Sequence, residues 1–197
     1  MAPDRGQLVA LGLGNGNYWF TFFSDSVTVL FLLIWESAVL RTNLLLIIIG
    51  FAAGLFAWSL LEYCFHRWVY HKGRTPAHAG HKIHHQSPET LIAMPWFVVT
   101  ALFGGAWYLF ALILHLRVAI SVEAGLLSGF VFYGVFHHLL HHFNFRNPRY
   151  RKLRAHHLIH HHTPNVNFGV TSRFWDHAFR TMHKKTSSAA RQISNKL

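Results

Sequence analysis

The chain has 197 residues, 52% of them apolar and 16% aromatic, with a formal charge of +11. Its 18 Lys and Arg against 7 Asp and Glu would point a soluble protein of this size to nucleic acid. Here the cations lie outside long apolar runs, so a membrane is implied and nucleic acid is excluded as a partner. The single cysteine, Cys64, excludes an internal disulfide and leaves little room for thiolate metal chemistry.

The opening MAPDRGQLVALGLG lacks the charged start and small-residue cleavage site of a secretory signal. The first apolar segment, Tyr18 to Leu40, carries Asp25 and Glu36; it is expected to span, the alternative being a helix lying in the interface. Leu44 to Leu61 and Ala93 to Leu114 are free of charge and long enough to cross a bilayer. A further span starts after Arg117 and runs through AGLLSGFVFYGVF into His137. The expected fold is all-α and integral to the membrane, about four transmembrane helices in two hairpins with a cytosolic helical cap. The connection from His71 to about Thr90 and everything after Phe143 then share one side. Every Lys and Arg except Arg41 and Arg117 falls on that side or at its boundary, which makes it cytoplasmic by the positive-inside rule. Residues 1–183 are expected to form one domain and 184–197 a mobile basic tail.

All the histidines fall from His66 to His183, and all except His115 lie on the proposed cytoplasmic side or its boundary. His81, His84 and His85 form H-x-x-H-H, and His157, His160 and His161 repeat it. On a helix, positions i, i+3 and i+4 share a face, so each motif presents three imidazoles together. His66 and His71 stand at the exit of one span, His137 and His141 at the exit of another. The chain therefore holds a pseudo-repeat of membrane helix, histidine pair and H-x-x-H-H turn. Both pairs emerge about 33 Å along their helices, close to the roughly 30 Å thickness of the hydrocarbon core. Ten imidazoles then converge at one membrane face. Protonated, they would repel; neutral and buried, they would need partners. Metal ions meet both demands, and imidazole suits Zn, Cu, Fe and Ni. Ten ligands are too many for one ion and suit two, at about five each, with an open position on each. Such a pair at a membrane surface suits redox chemistry on a lipid.

The spaced boxes EYCFHRWVYH, HKIHH followed by Pro88, GFVFYGVFHHLLHH and KLRAHHLIHH, then FGVTSRFWDHAF, resemble the fatty acid hydroxylase/sterol desaturase superfamily, and within it the fatty acid 2-hydroxylases. The resemblance runs from about Leu61 to Met182. It implies membrane helices under a cytosolic cap, a diiron centre (two Fe ions, with zinc as a substitute in purified protein), and an O2-dependent hydroxylation of a membrane lipid. It implies the ligands His66, His71, His81, His84, His85, His137, His141, His157, His160 and His161. With no haem-binding domain fused here, it implies electrons from a separate carrier, a cytochrome b5-like protein or a ferredoxin with its reductase. It also implies a bacterial inner membrane rather than the endoplasmic reticulum. Gly134 stands where these enzymes usually carry an acidic residue.

Among other residues, Glu62 and Asp176 could hold a ring N–H of a ligating imidazole, against the plainer reading of an ion pair with a nearby Arg. His78, His138 and His156 are expected beside the ligands rather than among them, and His142 and His162 off the shared face. His177 and His183 are expected at the surface. The basic run Arg146, Arg149, Arg151, Lys152 and Arg154 is read as attraction to anionic lipid, with docking of an acidic electron carrier as the alternative. Within the same chemistry, desaturation or hydroxylation of a sterol or carotenoid competes. Outside it stand a membrane zinc enzyme, which would need a carboxylate near the metal, and a metal-binding carrier, which would need ligands at mid-membrane.

Overall fold

The computed structural model describes residues 5–113 and 116–184, and His115 and the stretch 185–197 lie outside it. Among the described residues every regular element is helical. A short helix, α1 (Arg5–Gly12), which no sequence feature announced, precedes α2 (Asn15–Ile34), which continues through a π-helical turn, Trp35–Val39. Next come α3 (Leu44–Cys64), extended by a second π-turn, Phe65–Tyr70, then α4 (Pro76–Gln86), α5 (Trp96–Ile113), α6 (Leu116–His142), α7 (Pro148–His162) and α8 (Phe174–Ala178). Four of the described stretches are long and apolar enough to cross a membrane: Asn15–Val39, Leu44–Tyr70, Trp96–Ile113 and Val118–His142. Leu44, Phe56, Leu109 and Ile113 face outward, as lipid-facing side chains do, and the protein is integral to the membrane. Helix α5 starts later than the apolar run because Pro95 disfavours helix at the residue before it. Ala93 donates its N–H to the Gly12 carbonyl instead.

Helix α6 lies between the other spans. Gly50, Gly54 and Trp58 of α3 meet Ser121, Gly125 and Gly129 of α6 in ascending order, so these two helices run parallel. A Cβ on Gly54 would lie 2.1 Å from the Val122 carbonyl oxygen and one on Gly125 2.2 Å from that of Phe51, so the backbones touch where no side chain intervenes. Helix α2 runs the other way, pairing Tyr18 with His138 and Phe22 with Gly134. Parallel packing brings the C-terminal ends of α3 and α6, with their histidine pairs, to the same end of the bundle.

Both cap helices begin by one device. Thr75 accepts a hydrogen bond from the His78 N–H with Pro76 in the first turn, and Asn147 accepts one from the Arg149 N–H with Pro148 in the first turn. Each H-x-x-H-H motif thus lies on the last turns of a helix with a defined start.

Candidate metal centre

The structure brings the ten histidines into two groups of five. His66, His71, His81, His85 and His160 form one, and His84, His137, His141, His157 and His161 the other; in each, one ring nitrogen per residue lies within 4.8 Å of all the others. Each group takes four residues from one copy of the pseudo-repeat and the middle histidine of the triplet from the other copy. The crossing is a consequence of helical rotation. His81 and His85 are one turn apart and face the α3 exit, whereas His84 is rotated by about 100° relative to His85. It sits 4.5 Å from His137 and 4.7 Å from His141, ring to ring. His160 likewise crosses to His66, at 4.3 Å. His85 stacks on His161 at 4.3 Å, so the groups share a wall.

Within the first group the His81 Nε2 approaches the Nε2 atoms of His66, His71 and His85 at 3.2, 3.0 and 3.0 Å. The Nε2 atoms of His71 and His160 are 2.9 Å apart. In the second, the His157 Nε2 meets those of His141 and His161 at 2.9 and 3.1 Å. A neutral imidazole nitrogen is either one donor or one acceptor, so no placement of protons satisfies His81. One central cation would accept all the converging lone pairs. The buried Nε2 of His84 has no hydrogen-bond partner, which fits the same donor set. Burial, before the neighbouring rings, pushes the imidazoles outside the spans down: His71 to about 4, His84 and His160 to about 3, His161 to about 2. They are neutral at pH 7, the form that binds a metal.

The opposite ring nitrogens fix the tautomers. The His66 Nδ1–H donates to the Phe168 carbonyl and the His160 Nδ1–H to the Val166 carbonyl at 2.8 Å, which leaves both Nε2 lone pairs pointing inward. Residues 166–170 therefore supply the partners, and the two carboxylates hold that segment rather than a ligating ring. Asp176 accepts from the Phe168 N–H at 2.8 Å, the Gly169 N–H at 2.7 Å and the Thr181 hydroxyl at 2.7 Å. Burial raises its carboxyl, but these bonds and His156 outweigh it and hold Asp176 below the usual range. Its one ring partner, His156 at 3.0 Å, belongs to neither group. Among the described residues Glu62 reaches no ring and no Arg; it accepts from the Val170 N–H, the Thr171 N–H and the Thr171 hydroxyl at 2.8, 2.9 and 2.6 Å. Asn167, left-handed at φ 60°, completes the segment by donating to the His156 carbonyl at 3.1 Å. Backbone carbonyls leave no trace in side-chain spacing, so these partners escape a sequence reading.

The other described histidines fall outside both groups. His78 donates through Nδ1 to the Tyr70 carbonyl at 2.6 Å, tying α4 to the π-turn before His71. His138 lies 3.2 Å from the Tyr18 hydroxyl and stacks on His142 at 4.3 Å. His142, His162, His177 and His183 are exposed.

A cavity of about 430 Å³ opens beside the histidines. Phe22, Val69, Ile92, Val98, Leu102 and Phe130 are among its apolar walls, and it reaches His81 of one group and His84 and His137 of the other. The Phe22 ring fills the space beside Gly134, where a Cβ would lie 2.2 Å from Cε1. Asn17 pins the wall at Met94 and Trp96, donating to the Met94 carbonyl at 3.2 Å and accepting from the Trp96 N–H at 3.0 Å.

The chain is 31% identical over 140 residues to a dihydroceramide fatty acyl 2-hydroxylase of Arabidopsis thaliana, covering 66% of this chain and 59% of that one. It is 35% identical over 144 residues to a ceramide very long chain fatty acid hydroxylase of Schizosaccharomyces pombe, covering 66% and 41%. A human fatty acid 2-hydroxylase matches at 34% identity over 147 residues, covering 67% and 39%. The chain thus spans about half the length of these relatives, all eukaryotic. In three dimensions it is similar to the visible hydroxylase domain of full-length scs7p, with a TM-score of 0.74 and 30% identity, over 85% of this chain and 67% of that one. Residues 51–181, which include all ten converging histidines, match the fatty acid hydroxylase family, and the chain belongs to it.

Proposed function

We propose that the protein is a membrane hydroxylase that inserts one oxygen atom from O2 into a C–H bond of a lipid acyl chain. The ten histidines would hold two iron ions, and the pair, when bound, supplies the redox chemistry that reduces O2 and oxidises the carbon. The balance is R–H + O2 + 2 electrons + 2 protons giving R–OH and water, with the electrons arriving from a separate carrier protein. The chain's own residues do the rest. Phe168 and Val166 orient His66 and His160 through their carbonyls. The apolar walls, Phe22 and Leu102 among them, place an acyl chain against His81, His84 and His137 and keep water from the reacting carbon. The cations flanking the spans support a cytoplasmic orientation for the histidine end.

The observation that carries this reading is the opening of an apolar cavity onto histidines of both groups at once. The names of the relatives, which are fatty acyl and ceramide hydroxylases, support the substrate class. Protein purified without air, loaded with iron and given a chemical reductant and O2, is expected to yield lipid heavier by one oxygen atom. A product lighter by two hydrogens would identify a desaturase. Full activity with zinc in place of iron would end the oxygenase reading.

A further inference from the structure

Helix α7 carries three of the ten histidines, His157, His160 and His161, on one side. Its other side is exposed: Arg151, Lys152, Ala155, Ile159 and His162. These positions follow the 3.6-residue period and make one stripe, about 16 Å long at the helical rise. Arg149 and Arg146 extend it at the N-terminal end, and both are exposed. Between Glu123 and Asp176 the sequence holds no acidic residue, and among the described residues none of these four cations has a carboxylate partner. Arg154 differs, because its Nε donates to the Leu140 carbonyl at 2.9 Å and ties α7 to α6.

The stripe lies on the side of α7 opposite the one that packs on the end of the α6 span. Tyr150 packs on Phe136 of α6 at 5.8 Å and on Phe145 at 5.5 Å. Ile159 stands nine positions later, half a turn away in projection, so the two residues occupy opposite sides of the helix. A lipid headgroup would meet α7 on its Tyr150 side. What remains is a small apolar centre, Ala155 and Ile159, level with the ligands of the same helix and flanked by cations. Such a patch suits steered, transient docking of a protein of opposite charge.

We propose that the exposed face of α7, centred on Ala155 and Ile159 and flanked by Arg149, Arg151 and Lys152, is the docking surface for an acidic one-electron carrier protein. The inference rests on the hydroxylase reading, which needs electrons from outside. A redox group seated there is separated from His157, His160 and His161 by the thickness of one helix.

The test uses the full chain in neutral phosphatidylcholine nanodiscs, with and without added phosphatidylserine. The probes are the soluble domain of a cytochrome b5 and a plant-type ferredoxin, both acidic. The triple variant Arg149→Glu, Arg151→Glu, Lys152→Glu and its milder glutamine counterpart are compared with the parent. The parent is expected to bind at least one carrier, more weakly as salt rises. Charge reversal is expected to weaken that binding by about tenfold or more and flatten its salt dependence, with the glutamine variant between. Iron content and product formed with a chemical reductant are expected to stay unchanged. Unaltered carrier binding in both variants, or no binding by the parent, overturns the proposal, as does an effect seen only with phosphatidylserine, which would assign the cations to lipid. Absence of product with the chemical reductant would instead sink the hydroxylase reading, while the binding measurement still decides the docking surface.

Discussion

At the scale of single residues, the crossed middle histidines make a sharp test. His84 is the α4 residue that joins the group otherwise drawn from α6 and α7. His84→Ala is expected to weaken one of the two ions, so that bound iron falls toward half of the parent's and product is lost. His162→Ala, on the exposed side of α7, is expected to leave both unchanged; metal analysis and product mass read the difference. Protonation sets a second expectation. His71, His84 and His160 are depressed in the fold to between about 3 and about 4, whereas an unfolded imidazole titrates near 6.5. Between those limits the unfolded chain binds more protons, so stability falls as pH falls. The metal-free protein in detergent is expected to lose Tm progressively from about pH 6.5 toward pH 4, and to show no such slope above pH 7.

At the scale of elements, two contacts position the ligands without touching them. Glu62 of α3 holds the amides of Val170 and Thr171, and Asp176 holds those of Phe168 and Gly169. Glu62→Ala would leave buried N–H groups unpaired and is expected to cost about 3 kcal/mol, read as a lower Tm. Asp176→Asn is expected to weaken iron binding by about tenfold or more, read by competition with a chelator, because the segment that orients His66 loosens. The α3–α6 contact is the second. Gly54→Leu has no room beside the Val122 carbonyl and Gly125, so it is expected to part the exit helices. Size-exclusion chromatography and iron content would then show aggregated, metal-poor protein. The spans and the H-x-x-H-H turns were legible from hydropathy and spacing, because burial in lipid and helical periodicity write themselves into residue order. Helix α1 was not, since eight residues without strong periodicity look like loop until Val9 and Gly12 are seen walling the cavity.

For the whole molecule, the proposed orientation rests on charge. With Cys64 replaced by Ser, a cysteine introduced at Asn144 is expected to react with an impermeant thiol reagent only from the histidine side, and one at Arg41 only from the other. Labelling of intact cells against inverted vesicles separates the two. Under the proposed chemistry, the same result tells which compartment supplies the electrons and protons.

Residue order alone determined that this chain lives in a membrane, that its cations gather at one end of the bundle, and that ten imidazoles recur in a doubled pattern. Those properties are periodic or cumulative, so they survive in one dimension. The pairing of His84 with the second group and His160 with the first, the carbonyls of Phe168 and Val166 behind the rings, and the cavity that meets both groups were decided only by tertiary structure. Each depends on segments far apart in the chain meeting at angstrom distances, and that is set by the glycine-lined approach of α3 and α6 rather than by any local spacing.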